Sequence, residues 1–354
     1  MGLPFELRPD FLNMLGQLIL ETRRSSVASF LMLTVGLGVL TGGGYLVVEG
    51  ASSLARRLGV SQLTVGLTVV AFGTSAPELA VNLSAAVRGD ADIAFTNIIG
   101  SNISNIGLIL GLAAIIGTLA IHSQLITREL PMLLLATAAA AIMVLDPLLR
   151  GGQAAFDRTD GLLLLLLFVA FMFGVVRDVR LRRDSDSLVQ ASGDTRPPTA
   201  RWTLRASVGF TALGLGFLVW GGSLTVKGAE GLALSLNVPV SVIGLTIVAV
   251  GTSLPELVTS LVAAARQEAD IAVGNIVGSN IFNLLFIMGI TATVRPIPVP
   301  AAGGVDLIAL ALFTVILVPF SLTNGRRIVR TEGVVLLVLW IAYIALRVGL
   351  FGHV

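Results

Sequence analysis

The strongest constraint in this sequence is that it contains itself. Shifted by 178 residues, positions 48–112 align without a gap on 226–290, and 35 of the 65 pairs are identical. Gly73-Thr74-Ser75 falls on Gly251-Thr252-Ser253, Pro77-Glu78 on Pro255-Glu256, and Gly100-Ser101-Asn102 on Gly278-Ser279-Asn280. Apolar low complexity can imitate similarity at Leu and Val, but not ungapped matches at Gly, Pro, Glu and Asn. The chain is therefore one unit used twice.

The unit belongs in a membrane. Charged residues make up 12% of the 354 positions and apolar ones 55%, with mean hydropathy +0.93. A soluble domain carries about 25% charge. The net charge is only +2 and the basic residues fall in loops, which argues against nucleic acid as a partner. With no cysteine and two histidines, disulfides, thiolate sites and His-rich metal sites are excluded. The first ten residues, MGLPFELRPD, lack the basic start and apolar centre of a cleaved signal peptide. Residues 10–24 suit a short interfacial helix or a solvated leader, within an N-terminal segment 1–27.

Each copy reads as five spans. Helices are expected near 28–55, 63–88, 92–119, 129–147 and 159–178, then near 204–234, 239–266, 270–292, 303–321 and 331–350. The repeats are 28–178 and 202–354, joined by a polar linker, 179–201, within the flexible loop read over 177–201. An odd number of spans forces the second copy to enter from the opposite side, so the halves are inverted about an axis in the membrane plane. The expected fold is an all-α polytopic membrane protein, ten transmembrane helices in two inverted repeats with broken helices at the centre. The arginines of the linker place it in the cytoplasm and both termini outside. The short linker leans towards a prokaryotic cytoplasmic (inner) membrane.

Within each repeat lies a group that lipid should exclude. Glu78 and Glu256 sit in apolar runs, where a carboxylate costs at least a few kcal/mol and by default marks an ion pathway. Neither motif contains Arg or Lys. Lys227 is the one basic residue well inside an expected span, and its spacing suits a helical pair with Glu230. A bound cation is the natural partner for the two glutamates. Pro77 and Pro255 break their helices and free carbonyls near Gly73, Thr74, Gly251 and Thr252. Such backbone is tolerated only where it lines a cavity. Ser101 and Asn105, and likewise Ser279 and Asn283, share a helix face by their i, i+4 spacing. Alone these would read as interhelical glue; beside a broken, acid-bearing helix they read as ligands. The set is entirely hard oxygen, suited to Ca2+, Na+ or Mg2+. Asp90, Asp92, Glu268 and Asp270 read as caps and solvated loop charges, and Gly107 with Gly111 as helix packing.

GTSAPE with GSNISN, and GTSLPE with GSNIFN, resemble the two α-repeats of the cation/Ca2+ antiporter superfamily, most closely its sodium/calcium exchanger branch. The resemblance covers nearly the whole chain. It implies Glu78 and Glu256 as shared carboxylate ligands, with the backbone oxygens of Thr74 and Thr252 on Ca2+. Those of Ala71 and Ala249 would hold flanking Na+, helped by Ser75, Ser253, Ser101 and Ser279, while Asn105 and Asn283 take the remaining positions. Asn283 departs from relatives that carry aspartate there. The resemblance also implies that spans one and six slide as a pair against the rest. Gly36, Gly38, Gly42, Gly43 and Gly44, with Gly209, Gly214, Gly216, Gly221 and Gly222, suit that smooth contact, and ordinary glycine-mediated packing explains them about as well.

The expected activity is Na+/Ca2+ antiport by alternating access, with no enzymatic chemistry and no cofactor. The expected partners are Ca2+, Na+ and the lipid bilayer, and no protein partner is implied. A proton/Ca2+ exchanger is the nearest rival, a cation channel the next. A membrane hydrolase is remote, because neither carboxylate has a His or Cys partner.

Overall fold

The computed structural model describes residues 9–89, 91–145, 153–191, 201–236, 251–301 and 303–351. In hydrocarbon every backbone N–H and C=O must be satisfied within the segment, and the long apolar runs meet that demand as helices. They are α1 (Pro9–Leu58), α2 (Gln62–Thr74), α3 (Ala76–Arg88), α4 (Ile93–Ile116), α5 (Leu125–Val144) and α6 (Arg158–Ala191) in the first repeat. The second has α7 (Leu204–Ser235), α8 (Leu254–Ala265), α9 (Ala269–Val294), α10 (Gly303–Leu322) and α11 (Arg330–Phe351). Among the described residues eight helices are long and apolar enough to span, and α2 with α3 forms a ninth, bent by 44°. The helix α8 is the inverted counterpart of α3; the stretch that should precede it, 237–250, lies outside the described residues.

Helix ends follow local chemistry. The side chains of Ser61 and Thr203 accept from the N–H groups of Thr64 and Ala206, capping α2 and α7. Gly89, at φ +96°, stops α3 in the left-handed conformation that costs glycine nothing.

Two helices are central. The hydrophobic window of α9 is 94% buried inside the protein and that of α4 72%, against 11% for α11. These are the helices carrying Ser101, Asn105, Ser279 and Asn283. Large apolar side chains such as Ile142, Phe173 and Leu312 face outward, as lipid contact requires. Two small antiparallel pairs staple one repeat to the other: β1 (Leu119–Ala120) with β4 (Arg327–Ile328), and β2 (Ala155–Phe156) with β3 (Ile297–Pro298).

Two sequence expectations change, and a third divides. The helix α1 runs unbroken from Pro9, so the short leader helix is not a separate element. The helix α6 continues to Ala191, so half of the polar stretch read as a loop is helical. Of the ten glycines, Gly36, Gly43, Gly214 and Gly221 pack α1 tightly on α7, while Gly38, Gly42, Gly209 and Gly216 meet nothing within 4 Å among the described residues. A Cβ at Gly43 would meet Gly214 O at 2.9 Å, one at Gly36 Thr225 N at 2.6 Å, and one at Gly221 Leu40 N at 2.7 Å. Gly50 and Gly228, not singled out in the sequence, make the same close approach to Thr211 N and Leu33 N. Gly44 alone of the expected set presses on another helix, meeting Val258 and Val262 of α8. Gly107 and Gly111 pack on Trp340 and Gly333 of α11, as expected.

Candidate ion-binding site

The first break falls at Ser75, whose backbone (φ −82°, ψ 6°) leaves the helical region, and the second at Ser253 (φ −88°, ψ 7°). Both lie two residues before a proline, which has no N–H for the carbonyl four positions back. Each break thus places Thr, Ser and Glu within one interrupted turn. Thr74, Ser75, Glu78, Ser101, Asn105, Ser253, Glu256, Ser279 and Asn283 are all buried, with Glu78 and Glu256 each 1% exposed. Thr252 is half-buried. Ala71 is buried, and its carbonyl accepts from Ser75 N at 3.0 Å and Thr74 Oγ1 at 3.3 Å. Ala249 lies outside the described residues.

The repeats are interleaved here. Ser75 Oγ donates to Glu256 Oε1 at 2.9 Å, and Ser253 Oγ to Glu78 Oε1 at 3.4 Å. Ser253 also meets Ser101 Oγ at 3.2 Å. Each acid is therefore held by the serine of the other repeat, which brings the two carboxylates into one site. Thr74 Oγ1 donates to Asn275 Oδ1 at 3.0 Å, and Thr252 Oγ1 to Asn97 Oδ1 at 3.2 Å. Asn275 in turn donates to Ser260 Oγ at 3.0 Å. Asn97 and Asn275 were missed in the sequence, although both occupy matched, identical positions of the duplication.

What is left unpaired defines the chemistry. Among the described residues, the second carboxylate oxygens, Glu78 Oε2 and Glu256 Oε2, are buried without a hydrogen-bond partner, as are Ser279 Oγ, Asn105 Oδ1 and both amide atoms of Asn283. Neither glutamate meets an arginine or lysine among the described residues. Buried polar groups without partners cost about 1–3 kcal/mol each, and charged ones more. A hard cation removes that cost. Among the described residues no three His, Cys, Asp or Glu side chains gather together. Further oxygens would have to come from hydroxyls, amides and backbone. A serine hydroxyl that donates its proton keeps two lone pairs, so Ser75 can hold Glu256 and coordinate an ion at once.

Other expectations sort cleanly. No ion pair joins Lys227 to Glu230 among the described residues. Asp270 pairs with His122 Nε2 at 3.2 Å, away from the site, and the backbone oxygen of Glu268 starts α9. Asp90 lies outside the described residues, and of Asp92 only the helical backbone is described.

A family model of the sodium/calcium exchanger protein matches residues 28–177 and 206–349, one match to each repeat. The chain belongs to the sodium/calcium exchanger family. Like its family, it is a cation/Ca2+ antiporter, a transporter, and an integral multi-pass membrane protein. It is 40% identical to the putative antiporter CaxA of Alkalimonas amylolytica, over 90% of this chain and 97% of the relative. It is 29% identical to the sodium/calcium exchanger MaX1 of Methanosarcina acetivorans, over 89% and 97%. A structure of the sodium-calcium exchanger NCX_Mj, soaked with 2.5 mM Na+ and 0.1 mM Ca2+, superposes with a TM-score of 0.75 and 32% identity, covering 90% of this chain and 97% of that one.

Proposed function

We propose that this exchanger moves Ca2+ across the membrane in one direction by admitting more than one Na+ in the other. The observation that carries the reading is the pair Glu78 and Glu256, each crosswise bonded to a serine and each with one carboxylate oxygen buried and, among the described residues, unpaired. Two carboxylates neutralise one Ca2+ or two Na+. With neither load present, two negative charges would have to stay buried, at several kcal/mol each. Passage between the two faces is then easiest with the site filled, which makes transport an exchange.

In this reading Ca2+ binds the carboxylates together with the backbone oxygens of Thr74 and Thr252. Na+ takes flanking positions at the backbone oxygens of Ala71 and Ala249, helped by Ser75, Ser253, Ser101 and Ser279. Asn105 and Asn283 complete the shell between them. Sodium coupling is supported by the names of MaX1 and NCX_Mj, both sodium/calcium exchangers. The motif's Gly-Thr-Ser, with its extra hydroxyls, supports it independently. The linker is taken as cytoplasmic and both termini as external.

The test is uptake of radiolabelled Ca2+ into proteoliposomes under separate Na+, H+ and K+ gradients. An outward Na+ gradient should drive accumulation. Accumulation driven by a pH gradient in Na+-free vesicles would assign the coupling to protons, and flux without any counter-ion would point to a channel.

A further inference from the structure

Within the aligned stretches 48–112 and 226–290, charge is reversed in sign at one matched pair of positions. Position 49 in α1 is glutamate and its counterpart 227 in α7 is lysine, whereas 88 and 266 are both arginine. Glu49 is 7% exposed, although it lies in a membrane span. Its Oε2 accepts from Arg266 Nη2 at the end of α8. Its Oε1 accepts from Arg201 Nη1 at 3.2 Å and from Trp202 Nε1 at 2.9 Å. The Arg266 guanidinium also lies over the Tyr45 ring, 4.3 Å from its centroid. Two segments distant in sequence, the end of α8 and the stretch before α7, thus converge on one carboxylate of α1.

That cluster sits where a seam is closed. The helix α1 packs along α8. A Cβ at Gly44 would meet Val258 Cγ1 at 3.0 Å and Val262 Cγ2 at 3.4 Å. The inverted counterpart is the seam between α7 and α3, and there the chain is parted. Helix α7 has no comparable packing on α3. At Gly222, the counterpart of Gly44, a Cβ would meet among the described residues only Leu40 Cδ2, at 4.0 Å. Ala80 and Ser84, the counterparts of Val258 and Val262, are exposed, and so is Lys227. Closing this second seam would bring the cation of Lys227 towards that of Arg88, where the first seam has an acid facing a base.

We infer that Glu49 and Arg266 form an ionic latch, closing the α1–α8 seam and biasing the ion-free carrier towards the state seen here. The α1–α7 pair, fused through its glycines, carries the latch acid; α8 carries the base. When the pair shifts, the α7–α3 seam closes, the α1–α8 seam parts, and the latch breaks with no equivalent bond forming opposite. The inference rests on the alternating-access part of the proposed function but is independent of which ion is coupled.

The chain has no cysteine, so single-cysteine variants need no altered background. Val262→Cys and Ser84→Cys report the closed and the parted seam. The full chain in lipid nanodiscs, free of Na+ and Ca2+, is labelled with a water-soluble maleimide. Position 84 should react fast and position 262 slowly. Adding Glu49→Gln, or separately Arg266→Gln, should speed labelling at 262 and slow it at 84, each roughly tenfold, the scale for a lost charged hydrogen bond. Unchanged rates in monodisperse variants would overturn the latch. So would acceleration at both positions, which would mean local loosening without a shift between states. No ion flux is measured, so the outcome is separable from failure of the Na+ coupling.

Discussion

Ser75 donates a 2.9 Å hydrogen bond to Glu256, from the break of one repeat to the acid of the other, and Ser253 returns the relationship to Glu78 at 3.4 Å. Neither repeat can assemble its half of the site alone. The acid that one half contributes is oriented by a hydroxyl that the other half supplies, so the proposed ion site would form only at the interface between the copies.

Glu78→Gln and Glu256→Gln should each reduce exchange to background while the protein stays monodisperse. Removing one member of a buried charge assembly costs about 3–5 kcal/mol, which corresponds to more than about a hundredfold in ion affinity. Radiolabelled Ca2+ uptake beside size-exclusion chromatography checks both halves of the statement. Normal transport by either variant would remove the site from consideration.

Ser75→Ala and Ser253→Ala should raise the Na+ concentration needed for half-maximal exchange more than they raise that for Ca2+. A hydrogen bond to a charged acceptor contributes about 1.5–3 kcal/mol. The Ser75 change should be the more severe, because its bond to Glu256 is the shorter. Na+ titration of exchange in each variant gives the comparison.

Asn283→Asp should change ion preference and make exchange more sensitive to pH. Among the described residues both amide atoms of Asn283 are buried without a hydrogen-bond partner, so a new acid there would add a third buried negative charge to the proposed ligand set. The check is competition between Ca2+, Na+ and K+ across a pH series. An unaltered profile would show that this side chain does not meet the ions.

Asn275→Ala should weaken Ca2+ binding more than it slows turnover. Without the amide, the Thr74 hydroxyl loses its 3.0 Å acceptor, and the break keeps its Ser75–Glu256 bond but loses this second tie to the opposite repeat. Michaelis constants for Ca2+ measured beside maximal rates separate this positioning role from general damage.

Gly50→Ala should lower the thermal midpoint while Gly38→Ala leaves it nearly unchanged. A Cβ at position 50 would come within 2.7 Å of Thr211 N and 2.8 Å of Ser207 O, backbone that cannot swing aside, whereas position 38 has nothing within 4 Å. Overpacking of this kind costs about 1–3 kcal/mol. Differential scanning fluorimetry on purified protein distinguishes the two.

Much of this was legible before any coordinates. The duplication exposed the repeated fold, the prolines located both breaks, and two acids without local counter-charge pointed to a cation. Asn97 and Asn275 were equally visible as matched positions but were passed over, because an asparagine in a helix reads as glue until its partner is known. Glu49 escaped for the opposite reason: the mirrored lysine breaks the match that drew attention to the other acids. Lys227 misled in turn, since helical spacing permits a pair with Glu230 that the outward-facing lysine does not make.

Sequence alone determined the periodic and local properties: apolar length, helix-breaking residues, hard-oxygen ligand types and an inverted duplication. These are readable because each depends on a short stretch of chain and its repeat. Only the tertiary structure decided which hydroxyl meets which acid, that the glycines fuse α1 to α7, and which of two matched seams is closed. The physical reason is that inverted halves encode both seams almost equally. The difference between them lies in contacts between residues far apart in the chain, such as Glu49 and Arg266, that no local pattern announces.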